Sequence, residues 1–274
     1  MIAVMVIWPA IEMIRTSLHQ IDSTGISEGW NGITNYRTVF SNPELAPTFM
    51  RTAIWVFGVV AATILISLPL AQILHQKFPG RKVVRYSLII PWAASVVMTS
   101  IVWRWILDGF YGMLNRILMD LGIIKEAVDW LGVPGWSFFW LMAVAVFVSI
   151  PFTTYVILAG LTTVPDDILE ASTVDGASGW TRYKEITFPL LRPALLVAAV
   201  INLINVFNSF PIIWAMTGGG PGYSTDTTTT LAYKLSFRDQ DIGASAALAS
   251  VNFVIILIFI MAFLKVSKWK EATE

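Results

Sequence analysis

The chain has 274 residues, of which 56% are hydrophobic and only 13% are charged. Its mean hydropathy is +0.69. Soluble domains carry about a quarter charged residues, so this composition indicates an integral membrane protein. The formal net charge of zero excludes the basic footprint of a nucleic-acid-binding protein, and the absence of cysteine excludes disulfides, thiolate metal sites and cysteine nucleophiles.

Six apolar segments follow one another along the chain, and a helix needs about 20 such residues to cross a bilayer. Prolines lie inside several of them, which favours a bundle whose neighbouring helices satisfy the freed carbonyl groups. The first segment is short and could be signal-like, but no basic region precedes it and no small-residue cleavage site follows, so a span is favoured. The predicted spans are residues 1–18, 53–73, 84–106, 136–161, 195–216 and 243–264, in one transmembrane domain over 1–274.

Lysine and arginine are denser beside the ends of the second, fourth and sixth spans than on the opposite side. The residues on the dense side are Lys77, Arg81, Lys82, Arg85, Arg182, Lys184, Arg192, Lys265, Lys268 and Lys270. Because positive residues accumulate in cytoplasmic loops, we expect this side and both termini to be cytoplasmic. The polar segment 165–193, between the fourth and fifth spans, then faces the cytoplasm.

The sequence of this cytoplasmic segment predicts two short helices. Asp166 and Asp167 supply N-terminal capping and favourable charge for the first helix. The glycines at 176 and 179 break it, and a second helix starts near Trp180 and is ended by Pro189 before the fifth span. From the residues alone, such a helix–turn–helix is either an interfacial connector or a docking surface for a soluble partner.

The spacing inside the segment carries a resemblance. Glu170-Ala171-Ser172, three residues, Gly176, nine residues, Ile186, one residue and Phe188-Pro189 resemble the EAA loop of ABC importer permeases, with Ser for the second Ala and Phe for Leu. In that family the loop forms coupling helices that enter a cleft on each ATPase subunit. The resemblance therefore implies an ATPase-coupling role for Glu170, Ala171, Ser172, Asp175, Gly176, Ile186 and Pro189.

A second resemblance narrows the branch of the family. The sequence 205–210 (NVFNSF), then 217–221 (TGGGP) and 225–226 (TD), is similar to the fifth span and outer loop of MalF-like carbohydrate importer permeases. The resemblance implies an all-α, type I importer permease fold with six spans in the bacterial cytoplasmic membrane. It also implies the partners: a second homologous permease subunit, an extracytoplasmic solute-binding protein, and two ATPase subunits that hold ATP and Mg.

The glycines of the outer loop do not form a phosphate-binding loop, because that motif requires a lysine after the last glycine and a strand before the first. A tight extracytoplasmic turn is favoured. The family resemblance adds that Gly218, Gly219, Gly220 and Pro221 help to seat the binding protein.

The fifth span carries the candidate substrate pathway. Asn202, Asn205 and Asn208 recur every three residues and wind over about a third of the helix circumference, next to Ser209. Carboxamides suit sugar hydroxyls, and Phe207, Phe210 and Trp214 offer ring faces for stacking on a pyranose. Each asparagine alone could equally join helices, but as a cluster they favour a polar pathway.

Two other classes of function fit less well. A secondary transporter or channel for a small polar solute would be expected to carry membrane-embedded carboxylates, and spans two to six have none deep inside. An intramembrane enzyme would need a metal cluster or an activated nucleophile, and the sequence shows neither. We therefore expect a permease subunit and not an enzyme, with no catalytic residues, metal or cofactor of its own and with ATP hydrolysed by partner subunits. The sequence does not identify the particular sugar or sugar-like solute.

Overall fold

The computed structural model describes residues 3–22 and 24–271, and these are mostly helical. A π-helical segment, Ala3–Ile7, leads into the first α-helix. The α-helices are α1 (Trp8–Ser17), α2 (Thr34–Ser41), α3 (Leu45–His75), α4 (Arg81–Ala93), α5 (Val96–Ile106), α6 (Met113–Asp120), α7 (Trp136–Leu161), α8 (Asp166–Val174), α9 (Gly179–Arg182), α10 (Phe188–Phe207), α11 (Phe210–Thr217), α12 (Thr228–Phe237) and α13 (Ile242–Glu271).

A small hairpin departs from the predicted all-α class. Strands β1 (His19–Ile21) and β2 (Ser27–Trp30) pair antiparallel, with His19 opposite Trp30. The rings of this pair meet edge to face with their centroids 5.5 Å apart. The hairpin joins α1 to α2 and lies outside the apolar helices.

Four of the described helical stretches are long and apolar enough to cross a membrane. They are Leu45–His75, Trp136–Leu161, Gly179–Phe207 and Ile242–Phe263. The other two predicted spans are less regular. The third is broken at Ala94 and Ser95 between α4 and α5, where Ser95 takes an extended backbone as the N-cap of α5, a position that serine favours. The first comprises the π-helical segment and α1, and its residues 1 and 2 lie outside the described part.

The segment after α8 differs from the sequence expectation. The second cytoplasmic helix does not end at Pro189: one continuous helix runs from Gly179 to Phe207, so the membrane helix begins well before residue 195. A π-helical segment, Tyr183–Thr187, precedes Pro189, which lies in the first turn of α10. Proline is tolerated there because its missing N–H is accommodated by the wider turn before it.

The fifth span is broken rather than bent. Helix α10 ends at Phe207 and α11 begins at Phe210, so the interruption precedes Pro211. In a continuous helix the ring of Pro211 would collide with the carbonyl four residues earlier, at Phe207. The indole Nε1 of Trp55 on α3 donates to the Val206 carbonyl and to Ser209 Oγ, each at 3.0 Å. The break is therefore fastened to α3 by a buried indole.

The hydrophobic core lies where α3, α7 and α10 pack together. Its main cluster surrounds the break in the fifth span and includes Trp55, Leu141, Val144, Phe207 and Ile213. A second cluster joins α3, α7 and α10 near the predicted cytoplasmic end, and it includes Leu74, Ile157 and Leu191. At this end a Cβ on Gly160 would overlap with the Ala194 side chain, so α7 and α10 approach closely only because residue 160 is glycine.

The Trp55 contact can be tested by Trp55→Phe. We expect the variant to lower the free energy of unfolding by about 1 kcal/mol, because the Val206 carbonyl loses one donor and keeps the Ser209 hydroxyl as another. Thermal unfolding of the purified protein in detergent measures the change. Trp30→Phe is the matched control, since that side chain is 71% exposed. Equal shifts in both variants would show that the indole donor does not hold the break.

Candidate functional site

A cleft of about 470 Å³ lies beside the break between α10 and α11. Its polar lining comes from the fifth span and from α7, and its apolar lining from α4, α5, α7, α10 and α11. The lining residues include Asn202, Asn205, Asn208, Ser209, Ser149, Trp92 and Phe152. The structure thus brings all three asparagines to one cavity.

The three asparagines differ in how their carboxamides are used. Asn202 is buried, and its Nδ2 donates to Thr153 Oγ1 at 2.6 Å and to the Ala198 carbonyl at 2.9 Å. Asn208 donates from Nδ2 to the Ile204 carbonyl at 2.9 Å, and its backbone N–H donates to the same carbonyl at 3.2 Å. Asn205 is exposed to the cleft and makes no side-chain hydrogen bond to the described residues. Asn205 is therefore the carboxamide most available to a solute.

The three aromatic residues predicted for the pathway do not line this cleft. Phe207 points the other way, into the main core, with 4% of its surface exposed. Phe210 and Trp214 stack on each other at 5.5 Å and pack against Tyr233 of α12. Phe207 lies about 200° around α10 from Asn205, because successive residues of a helix are about 100° apart. Phe210 and Trp214 come after the break, where the chain changes direction and does not continue the helical face of the asparagines.

Two other aromatic residues take the place of those three, and the sequence analysis missed them. Trp92 near the end of α4 and Phe152 in the middle of α7 both line the cleft. Each directly follows a proline in the sequence. An aromatic residue directly after a proline could have indicated both positions in the sequence. A proline in a membrane helix marks a place where the bundle opens around freed carbonyl groups.

Helix α8 and the turn after it explain the glycine of the cytoplasmic motif. Gly176 has φ +77°, and the Ala177 N–H donates to the Ser172 carbonyl at 3.0 Å while the Gly176 N–H donates to the Thr173 carbonyl at 3.1 Å. This pair of bonds is the Schellman arrangement, which needs a left-handed residue after the helix end. Pro165 is the N-cap residue, so neither aspartate occupies the predicted N-cap position.

The surface of α8 faces outward. Of its described side chains only that of Ser172 is buried, with its Oγ donating to the Leu169 carbonyl at 2.7 Å. Glu170 is exposed, and so are the apolar side chains of Val174 and, after the turn, Trp180. Arg182 Nη1 donates to Thr173 Oγ1 at 3.0 Å, which fixes α8 relative to the long helix that follows.

The outer loop after α11 is held by a buried ion pair. Lys234 Nζ lies 2.6 Å from Asp226 Oδ2, and the two side chains are 6% and 0% exposed. Burial raises the pKa of the Asp226 carboxyl, and the Lys234 ammonium opposes that rise. A Cβ on Gly219 would overlap with the Asp226 carboxylate, so the close approach of the loop requires glycine there.

The loop glycines are consequently less exposed than a docking surface would suggest. Gly219 is buried and Gly218, Gly220 and Pro221 are half-buried. Gly220 and Pro221 do border a polar cleft of about 320 Å³ that Arg104, Asp108 and Asp129 also line. Arg104 Nη1 donates to the Ala215 carbonyl at 3.3 Å, at the rim of this cleft.

The sequence profile of one protein family, described as the binding-protein-dependent transport system inner membrane component, matches residues 56–267. The chain belongs to this family. It is therefore a transport permease subunit rather than an enzyme, and it acts in binding-protein-dependent transport rather than in secondary transport. No group of three or more His, Cys, Asp or Glu residues in the described part of the permease is placed to hold a metal ion.

Relatives and a solved structure agree with this membership. The permease is 41% identical to a probable ABC transporter permease protein of Brucella suis over 269 residues, which cover 98% of this chain and 93% of the relative. It is 35% identical to the trehalose/maltose transport system permease protein MalF of Thermococcus litoralis, covering 98% and 90%. A bacterial ABC transporter that imports the acidic polysaccharide alginate contains a chain with the same fold, with a TM-score of 0.85 at 20% identity and coverage of 97% and 91%. The permease therefore has the type I importer permease fold.

The buried ion pair of the permease can be tested by Lys234→Met. This change leaves the Asp226 carboxylate buried without its partner, and we expect a loss of about 3–5 kcal/mol in the free energy of unfolding. The double variant Asp226→Asn with Lys234→Met removes both charges and should lose less. Thermal unfolding in detergent measures both, with Lys125→Met at an exposed position as the control. A double variant less stable than Lys234→Met would contradict this account.

Proposed function

We propose that the permease moves a sugar or a sugar-like solute across the bacterial cytoplasmic membrane, as one subunit of an ATP-driven importer. The cleft beside the broken fifth span carries this proposal. Three carboxamides and the ring faces of Trp92 and Phe152 line this cleft together. Hydroxyl groups of a sugar pair with carboxamides, and its C–H faces stack on aromatic rings.

The names of the relatives support a carbohydrate solute. The Thermococcus protein is described as a trehalose and maltose permease, and the structural neighbour belongs to an importer of an acidic polysaccharide. In the described part of the permease no arginine, lysine or histidine lines the cleft, and Asn205 is its most available polar group. A neutral solute therefore suits this cleft better than an acidic one.

The proposed topology has six spans with both termini in the cytoplasm. The four long apolar helices provide four of them, the segment before Leu18 the first, and α4 with α5 the third. A pair of short helices can cross the bilayer where their junction lies against a polar cavity instead of lipid. Trp92 and Val96, on either side of the α4–α5 junction, both line the cleft, which supports this arrangement.

We propose that α8 and the turn after it form the docking surface for an ATPase subunit. The exposed side chains of Glu170, Val174 and Trp180 combine an acidic group with apolar groups on an element that is otherwise little buried. The buried Ser172 and the left-handed Gly176 keep the shape of that surface. Ile186 lies in the π-helical segment and Pro189 in the next turn, where the surface joins the membrane helix.

The proposed assembly contains this permease, a second homologous permease, two ATPase subunits that bind ATP and Mg, and an extracytoplasmic solute-binding protein. Binding-protein docking at the outer loop and closure of the ATPase subunits open the cleft outward, and hydrolysis reopens it to the cytoplasm. The loop from Gly218 to Pro221, fixed by Lys234 and Asp226, and the polar cleft beside it supply the outer docking surface.

The solute site is tested by Asn205→Ala. We expect uptake of radiolabelled disaccharides to fall at least about tenfold in proteoliposomes that hold the complete transporter, because a hydrogen bond to bound solute contributes about 1.5 kcal/mol. Thermal stability should not change, since the exposed Asn205 side chain makes no hydrogen bond to the described residues. Asn202→Ala is the comparison: it should lower stability as well, because it removes the bond to Thr153. Full uptake by Asn205→Ala would place the solute elsewhere.

The docking surface for the ATPase subunit, which we call the coupling surface, is tested by Glu170→Arg. We expect the ATPase subunits to be lost from the purified complex, because an exposed acidic contact of the docking surface becomes basic. Glu126→Arg, at an exposed position between α6 and α7, is the matched control and should keep them. ATP-free vesicles that accumulate solute through this chain alone would refute the importer mechanism.

A further inference from the structure

A shallow, open site lies at the turn between α3 and α4, at the other end of α4 from Trp92 of the solute cleft. It has a volume of about 630 Å³ and is lined by Lys77, Phe78, Pro79, Gly80, Arg81, Lys82 and Val83. We call these residues the basic cup. Three of the seven are cationic, and the coupling surface and the solute cleft share no residue with the cup.

The cations of the basic cup have no acidic partner among the described residues. None of Lys77, Arg81 and Lys82 forms an ion pair within the described residues. The Nε atom of Arg81 is buried and has no hydrogen-bond partner in that part of the chain. A buried donor without an acceptor costs free energy unless a ligand supplies one, so the cup is suited to an anion with several oxygens.

An apolar face continues from the cup along α4. Val83 lines the cup, and Val83, Tyr86 and Ile90 recur at the spacing that places side chains on one face of a helix. These three side chains are 67%, 63% and 71% exposed. A cationic pocket that opens onto an exposed apolar helix face matches a phospholipid, with its headgroup in the pocket and its acyl chains along the helix.

We propose that the basic cup binds the headgroup of an anionic phospholipid of the cytoplasmic leaflet, with the acyl chains along Val83, Tyr86 and Ile90. The proposal rests on the orientation given under the proposed function, which puts the turn between α3 and α4 at the cytoplasmic surface. The bound lipid fixes the first turn of α4, the helix whose other end carries Trp92 into the solute cleft.

The test uses the complete transporter in phosphatidylcholine nanodiscs that contain a minor fraction of phosphatidylglycerol. Native mass spectrometry counts the phosphatidylglycerol molecules that the purified complex retains. The site variant is Lys77→Gln with Lys82→Gln, two exposed residues whose replacement leaves the packing intact. The charge-matched control is Arg37→Gln with Lys125→Gln, two exposed cations outside the cup.

We expect the wild type to retain phosphatidylglycerol over phosphatidylcholine and the site variant to bind it about 25-fold more weakly, since each basic residue near the surface contributes about fivefold. The control should bind as the wild type does. ATPase activity is measured separately, so loss of the importer mechanism and loss of lipid binding are distinguished.

Several results would overturn the proposal. They are a wild type without preference for phosphatidylglycerol, an equal loss in the site variant and the control, and retention of phosphatidylglycerol only when the ATPase subunits are removed. Binding of inorganic phosphate to the wild type is measured as a further comparison. If it binds the wild type as tightly as phosphatidylglycerol does, the apolar face of α4 contributes nothing and the ligand is a free anion.

Discussion

The break in the fifth span is the feature on which the site depends, and its constraint is that backbone groups inside a membrane need partners from the protein. Pro211 prevents the helix from continuing past Phe207, and the Val206 carbonyl loses its usual donor, because the Phe210 N–H donates to the Asn208 carbonyl instead. The indole of Trp55 and the hydroxyl of Ser209 both donate to the Val206 carbonyl in its place. Polar side chains are therefore required at the place where the cleft forms.

The same constraint gathers the rest of the cleft lining. Trp92 and Phe152 each follow a proline, Pro211 itself lines the cleft, and Val96 follows the junction of α4 and α5. Irregular backbone at membrane depth is stable only against protein or a polar cavity, so the break in the fifth span and the junction of α4 and α5 lie against one space, beside the unbroken helix α7. Asn202 contributes mainly to stability through Thr153, which leaves Asn205 as the group whose carboxamide faces that space.

The sequence predicted the features that depend on local spacing. The three-residue repeat of the asparagines placed them on one side of a helix, and the glycine after α8 is required locally by its positive φ. It could not predict features that depend on contacts between distant residues. The directions of Phe210 and Trp214 follow from the break, which Trp55 fastens from 151 residues away, and the continuity of the helix past Pro189 depends on a π-helical segment that has no sequence signature. The resemblance included Asp226, but nothing in the sequence indicated that Lys234 is its buried partner.

The continuity past Pro189 also changes how force would pass through the proposed importer. A helix from Gly179 to Phe207 has 29 residues and spans about 44 Å, so one element reaches from the proposed ATPase surface to the solute cleft. With a helix ended at Pro189, a joint would lie between the two sites and displacement of α8 would be absorbed there. With the continuous helix, Arg182 fastens α8 to its first turns while Asn202 and Asn205 lie near its other end. Movement of α8 then tilts the residues that line the cleft, and the break at Asn208 is the point where α11 and the outer loop need not follow.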